Sequence, residues 1–241
     1  MQADRKLPTA IAALATSLLL VSATGTAAAQ EQPAPVPSAR QAWDSGFYYL
    51  FDFNLGDSEN PDTDTDFSVD LDWSTGFGFG MGYRLGPVRL EGDFNTQFYR
   101  VGSLDLGPAS PFAAADYAGA MRTGNLMANL YVDLPTAGNM RPYLGAGYGV
   151  SWVEAEYNES VCFIYCFSTS NSVVDDSDRT DAWQAMIGAS FGTSSPNREW
   201  YIGYRYYETG DLNFRTLSGV PFRQEGIQDH AVMAGFRFFI D

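Results

Sequence analysis

The sequence predicts an all-β fold: a closed, eight-stranded, antiparallel up-and-down transmembrane barrel. Three observations carry that expectation. Apolar and polar residues alternate with a period of two through eight segments, the spacing of strands rather than helices. The connections between those segments alternate short and long, as hairpins sharing one compact end do. The polar faces hold most of the strand glycines beside nearly balanced charges, the composition of a crowded interior rather than of a face bathed in water.

The chain opens with Arg5 and Lys6, an apolar run over 11–21, and Ala27-Ala28-Ala29. Residues 1–29 therefore read as a secretory signal peptide cut after Ala29. The apolar run is too short for a spanning helix, and no other run approaches the roughly 18 apolar residues one needs. Residues 30–45 read as a periplasmic Pro-rich linker ("EQPAPVPS" over 31–38) and 46–241 as the barrel domain. The formal net charge is -15; loss of Arg5, Lys6 and Asp4, two bases and one acid, leaves -16. That charge argues against nucleic acid as a partner. Seven acids lie from Asp57 to Asp72, and Asp175, Asp176, Asp178 and Asp181 form a second group. Such runs read as solvated loop.

The first strand, 47–55, sets Phe47, Tyr49, Phe51, Phe53 and Leu55 against Tyr48, Leu50, Asp52 and Asn54. In the second, over 67–85, one phase runs through Phe67, Val69, Leu71, Trp73, Phe77, Phe79, Met81, Tyr83 and Leu85. Gly76, Gly78, Gly80, Gly82 and Arg84 lie opposite. Gly86-Pro87 turns the chain into the third strand, 88–98, where Leu90, Phe94 and Phe98 oppose Arg89, Glu91, Asp93, Asn95 and Gln97. The fourth, 125–134, sets Leu126, Leu130 and Val132 against Asn125, Asn129, Tyr131 and Asp133. The fifth, 142–153, sets Leu144, Tyr148 and Trp152 against Tyr143, Gly145, Gly147 and Gly149. The sixth, 181–191, sets Trp183, Ile187 and Phe191 against Gln184, Met186, Gly188 and Ser190. The seventh, 199–207, sets Trp200, Ile202, Tyr204 and Tyr206 against Glu199, Tyr201, Gly203, Arg205 and Tyr207. The eighth, 230–240, sets Val232, Phe236, Phe238 and Ile240 against Met233, Gly235, Arg237 and Phe239. The connections over 86–87, 135–141 and 193–198 are short and the other four long. In one long connection Ser110 is placed to cap a short helix with Pro111 at its first position.

Which face is wet decides the class. The polar face carries Arg84, Arg89, Arg205 and Arg237 with Asp52, Glu91, Asp93, Asp133 and Glu199, which reads as an interior network plugging a narrow lumen. The apolar face carries aromatics at both strand ends: Trp73, Phe98, Trp152 and Tyr206 at one, Tyr83, Phe191, Trp200 and Phe238 at the other. These read as two interfacial girdles. A water-soluble lipocalin-like barrel is the alternative. Within lipid no backbone group can stay unpaired, so the eighth strand is expected to pair with the first.

Four runs resemble the small eight-stranded outer-membrane barrels of Gram-negative bacteria: "LMANLYVDL" (126–134), "RPYLGAGYGVSW" (141–152), "WYIGYRYYETGD" (200–211) and "HAVMAGFRFFI" (230–240). This is the opacity-protein and surface-antigen group, related in architecture to the transmembrane domain of outer membrane protein A. The resemblance implies the cell outer membrane, with both termini periplasmic and the long loops extracellular. It implies outer-membrane lipid and lipopolysaccharide as surroundings, and barrel-assembly machinery as reader of the last run, where Ile240-Asp241 replaces a usual terminal Phe. It also implies a non-enzymatic structural or surface-interaction role, with an extracellular or host-surface partner engaged through the loops. A narrow porin-like solute channel and a lipid-modifying enzyme are the alternatives.

Other motifs carry less. Gly145-Ala146-Gly147-Tyr148-Gly149 lacks the third glycine and following helix of a dinucleotide site. Asp62, Asp64 and Asp66 match the first calcium-loop spacings, but Phe67 and Trp73 stand where Gly and Glu are needed, leaving weak cation binding as the alternative to a solvated loop. His230 has no serine two residues on and reads as an interfacial anchor rather than a catalytic group. Cys162 and Cys166, in an exported chain without nearby His or further Cys, are expected as a local disulfide, with a redox role as the alternative to it. No cofactor, metal or catalytic set is expected.

Overall fold

Period-two alternation yields long strands. The computed structural model describes residues 45–61, 63, 68–105, 117–136, 139–161, 169–195 and 197–240. The expected signal peptide, nearly all of the linker, the Ser110 cap, Asp62, Asp64, Asp66, Cys162 and Cys166 lie outside the described residues. In chain order the strands are β1 (Gly46–Ser58), β2 (Ser68–Leu85), β3 (Val88–Asp105), β4 (Tyr117–Asp133), β5 (Met140–Val161), β6 (Thr169–Gly192), β7 (Arg198–Thr209), β8 (Leu212–Arg215), β9 (Pro221–Gln224) and β10 (Gln228–Phe239). Eight of them close in the order β1-β10-β7-β6-β5-β4-β3-β2, each antiparallel to its neighbours. The last strand pairs with the first from Tyr48↔Phe239 to Ser58↔Asp229, so the barrel has no edge. At the short-turn end Gly86, with φ of 58°, takes the left-handed conformation that a tight turn needs.

The outward face is apolar and exposed, with Phe51, Phe77, Phe79, Leu144, Ile187 and Phe236 on it, while arginines and carboxylates are buried within. This is the inverse of a water-soluble barrel and removes the lipocalin-like alternative.

The inward glycines have a geometric cause. Four inward tyrosines each stand directly across a strand pair from a glycine: Tyr48↔Gly82, Tyr131↔Gly145, Tyr143↔Gly188 and Tyr201↔Gly235. A Cβ at Gly82 would meet the Tyr48 ring at 2.5 Å, and one at Gly235 would meet the Tyr201 ring at 2.6 Å. One at Gly188 would meet the Tyr143 hydroxyl at 2.5 Å, and one at Gly145 would enter the Tyr131 ring. Each tyrosine occupies the space over the glycine across from it, where no side chain rises.

Three expectations are corrected. The second strand does not keep one phase: β2 shifts register against β3 between Asp70 and Leu71 and again between Leu71 and Ser74. The bulge turns Leu71 inward, where it is buried, while Trp73 stays outside. The acids Asp175, Asp176 and Asp178 are not loop. They lie on β6, whose ladder with β5 continues to Val161↔Thr169 and overrides the low strand preference of Asp. The connection after β7 is not open loop either, since it folds into the β8–β9 hairpin, paired from Leu212↔Gln224 to Arg215↔Pro221.

Past the belt the polarity reverses without a change of pleat. On β5, Leu144, Tyr148 and Trp152 face out with Gly145, Gly147, Gly149 and Ser151 opposite. Two residues later Glu154 and Glu156 face out, and Val153 and Ala155 are buried. On β4 the same switch falls between Leu126 and Arg122, with Met121 buried. The strands thus leave an apolar solvent and enter water, and their upper parts form a collar with an ordinary apolar interior.

Gly145→Ala is expected to lower stability by about 1–3 kcal/mol through overpacking, read as the urea midpoint of the folded protein in detergent. The loss should vanish in a Tyr131→Ala background, since the ring is what the methyl meets. An unchanged midpoint for Gly145→Ala would refute the pairing.

Candidate functional site: a lumen closed at both ends

At the short-turn end, inward positions of six strands bring seven charges into one chain. Its order is Arg141, Glu199, Arg84, Asp133, Arg89, Glu91, Arg237, cation and anion alternating. Arg84 donates from both terminal nitrogens to the two Glu199 oxygens at 2.7 and 2.8 Å, a bidentate fork. Arg141 donates to the same carboxylate. Arg84 lies 3.6 Å from Asp133, which accepts from Arg89 Nε at 3.0 and 3.1 Å. Arg89 Nη1 and Arg237 Nε both donate to Glu91 Oε1, at 2.6 and 3.2 Å, and the Tyr48 hydroxyl donates there at 2.6 Å. All seven are buried. Alternation puts each carboxylate between two guanidinium groups, the arrangement that keeps buried charge tolerable at low dielectric. Aromatic faces complete it: Arg84 lies over Phe239 at 4.6 Å, Arg89 over Tyr131 at 4.5 Å, and Arg237 over Tyr201 at 4.0 Å.

Higher in the lumen two carboxylates are served by neutral donors. Asp93 accepts from Asn95 at 2.9 Å and from Asn129, and Asp52 accepts from the Tyr201 hydroxyl at 3.4 Å. Among the described residues neither carboxylate has an ion-pair partner. Arg205 lies 3.7 Å from Asp229, which also accepts from Ser58, Ser74 and Gln97 at 3.0, 2.7 and 3.2 Å. Arg141 and Asp229 were missed by sequence reasoning because each sits at a strand boundary. Their signal was present: each continues the inward alternation by one step, before Tyr143 and before Ala231.

The opposite end is closed by apolar contact. Leu212, Phe214, Phe222 and Ile227 from the β8–β9 segment pack with Leu71, Tyr99, Met121, Val153, Ala155 and Val174 of the collar wall. Two of the acids on β6 hold this hairpin in place. Asp178 accepts from the Asn213 backbone N–H and Asp176 from that of Arg215, both at 2.7 Å. Further bridges join Val174 to Thr216 and Thr63 to Gln224. At the stem the hydrogen bond from Arg223 holds the exposed Asp211 carboxyl below its ordinary value.

The residues expected as girdles face outward. Trp73, Phe98, Trp152 and Tyr206 lie toward the collar, and Tyr83, Phe191, Trp200 and Phe238 toward the short turns. Phe191 stacks on Trp200 at 4.3 Å and Phe47 packs on Tyr83 at 4.7 Å. His230 also faces outward at the collar boundary, with Nδ1 2.5 Å from the Tyr204 hydroxyl and Nε2 3.7 Å from Glu59.

Glu199→Gln leaves Arg84 and Arg141 sharing no anion and is expected to cost about 3–5 kcal/mol. Arg122→Ala, which breaks the exposed pair with Glu154, is expected to cost under about 1 kcal/mol. Urea titration of both variants beside the wild type checks the contrast. Equal losses would show that the lumen chain is not an energetic unit.

Several known proteins are similar to this chain. An uncharacterized protein of Brucella abortus (strain 2308) is 25% identical, over 62% of this chain and 58% of its own length. The chain thus spans less than two thirds of that relative. Outer membrane protein OprG from Pseudomonas aeruginosa superposes with a TM-score of 0.50 at 14% identity, covering 83% of this chain and 98% of OprG. Neisserial surface protein A gives a TM-score of 0.47 at 17% identity, covering 82% and 99%. The family described as Outer membrane protein beta-barrel domain matches residues 15–238, and this chain belongs to it as a closed eight-stranded outer-membrane barrel.

Proposed function

We propose that this protein is a non-enzymatic scaffold of the outer membrane. Both termini lie in the periplasm, and the collar and long loops are displayed outside, where they serve a structural or surface-interaction role. One observation carries this: the lumen is filled at one end by an alternating charge chain and at the other by an apolar hairpin. A barrel of eight strands has room for its side chains and little else, and here the room is used. A solute channel finds no support in that arrangement. The enzyme reading is weaker too, because His230 faces a tyrosine and a glutamate, and among the described residues no serine or threonine hydroxyl bonds its ring. Hairpin length supports this orientation, with compact turns on the side where the chain enters and projecting strands on the other. The outer leaflet, with lipopolysaccharide, would meet the belt near Trp73, Phe98 and Trp152. A disulfide between Cys162 and Cys166 would staple the tip of the β5–β6 connection.

In planar bilayers the purified barrel is expected to give no discrete conductance steps, and their appearance would overturn the closed-scaffold reading. In intact cells, Ser218→Cys in a Cys162→Ser/Cys166→Ser background is expected to react with a membrane-impermeant maleimide. Labelling only after the outer membrane is permeabilised would reverse the proposed orientation.

A further inference from the structure

Two large apolar side chains meet water where neither belt nor core accounts for them. Leu217 and Val220 are 63% and 57% exposed. Among the residues whose side chains the structure describes, every other exposed large hydrophobic side chain lies on the outward belt or at the short-turn rim. These two sit at the tip of the β8–β9 hairpin, beyond the point where the strands switch polarity.

The tip is already shaped. The Thr216 N–H donates to the Val220 carbonyl at 2.9 Å and the Gly219 N–H to the Thr216 carbonyl at 2.8 Å. The Val220 N–H donates to Thr216 Oγ1 at 3.1 Å, and the Thr216 and Ser218 hydroxyls bond at 2.8 Å. Gly219, with φ of 84°, supplies the left-handed residue the turn requires. Below the tip, Phe214 and Phe222 are buried in the mouth, and Asp176 and Asp178 fix the β8 backbone. A partner would therefore meet Leu217 and Val220 with little ordering left to do.

The charges around the hairpin select the kind of partner. The β6 wall carries Asp175, Asp176 and Asp178, β5 carries Glu154 and Glu156, and the hairpin stem carries Asp211 and Glu225. Against them stand Arg179 and Arg215, with Arg223 tied to Asp211 and Arg122 tied to Glu154. Acids outnumber bases, so polyanions such as nucleic acid, sulfated sugars or lipid phosphates are repelled. An acidic surround with two apolar side chains at its summit fits a protein surface that has an apolar pocket inside a Lys/Arg rim.

The geometry points to the hairpin tip as a docking knob for a cationic protein surface, with Leu217 and Val220 filling the partner's pocket and the β6 and stem acids meeting its basic rim. This rests on the surface-interaction role proposed above and gives it residues and a partner chemistry. The test offers the full barrel in nanodiscs to a phage-displayed random peptide library. Both faces are accessible in a nanodisc, so the result is independent of orientation in the cell and fails separately from it. The selected peptides are expected to combine Lys or Arg with one or two bulky apolar residues and to weaken as salt rises. Leu217→Ser/Val220→Ser, with folded mobility checked on unheated gels, is expected to raise their Kd about tenfold or more. Asp175→Lys/Glu225→Lys, which leaves the tip intact, is expected to weaken the same peptides. Absence of any tip-dependent peptide, or tip-dependent peptides that are acidic, would overturn the proposal.

Discussion

A narrow lumen is the constraint on which the rest of this molecule depends. Eight strands enclose a space about wide enough for side chains alone, and every large inward residue must find a place where the opposite wall is bare. The pairs Tyr48↔Gly82, Tyr131↔Gly145, Tyr143↔Gly188 and Tyr201↔Gly235 are that solution repeated around the barrel. Glycine in a strand interior ordinarily weakens it. Here the rings laid over the glycines restore packing, and they also give Arg89 and Arg237 aromatic faces to rest on. Glycine, tyrosine and arginine are one device: the first makes room, the second fills it, and the third is held against the second.

The same strands obey two opposite solvent rules along their length. In the belt, side chains that face out are apolar and those that face in are polar. In the collar the assignment reverses, and on β5 the reversal is complete between Trp152 and Glu154 on one face and between Ser151 and Val153 on the other. A continuous backbone ladder carries both regimes because hydrogen bonding between strands does not depend on which side is wet. The collar consequently has a core of its own, built from Met121, Val153, Ala155 and Val174, and that core is completed by the returning hairpin rather than by a barrel strand.

Buried charge is handled by order in this barrel. Four arginines and three carboxylates at the short-turn end alternate, so that no like charges are neighbours along the chain. Two further carboxylates, Asp52 and Asp93, are served by neutral donors instead. Such a lumen is occupied, which suits a scaffold whose variable work is done at its projecting end, where loops are free to differ without disturbing the strands.

The sequence by itself determined the number of barrel strands, the closure, and which face of each barrel strand meets lipid, because period-two alternation and the aromatic ends are local properties of the chain. It also placed Arg84, Arg89, Glu91, Asp133, Glu199 and Arg237 on the inward face. Tertiary structure alone decided three things. Which charge meets which is set by register between strands distant in the chain. Leu71 turned inward because of a bulge against β3 that no alternation pattern announces. Asp176 and Asp178 became acceptors for a hairpin about forty residues away, and the reading of their run as loop failed there. A strand partner and a capping segment can rescue residues that are poor strand formers, and that rescue exists only once the barrel has closed.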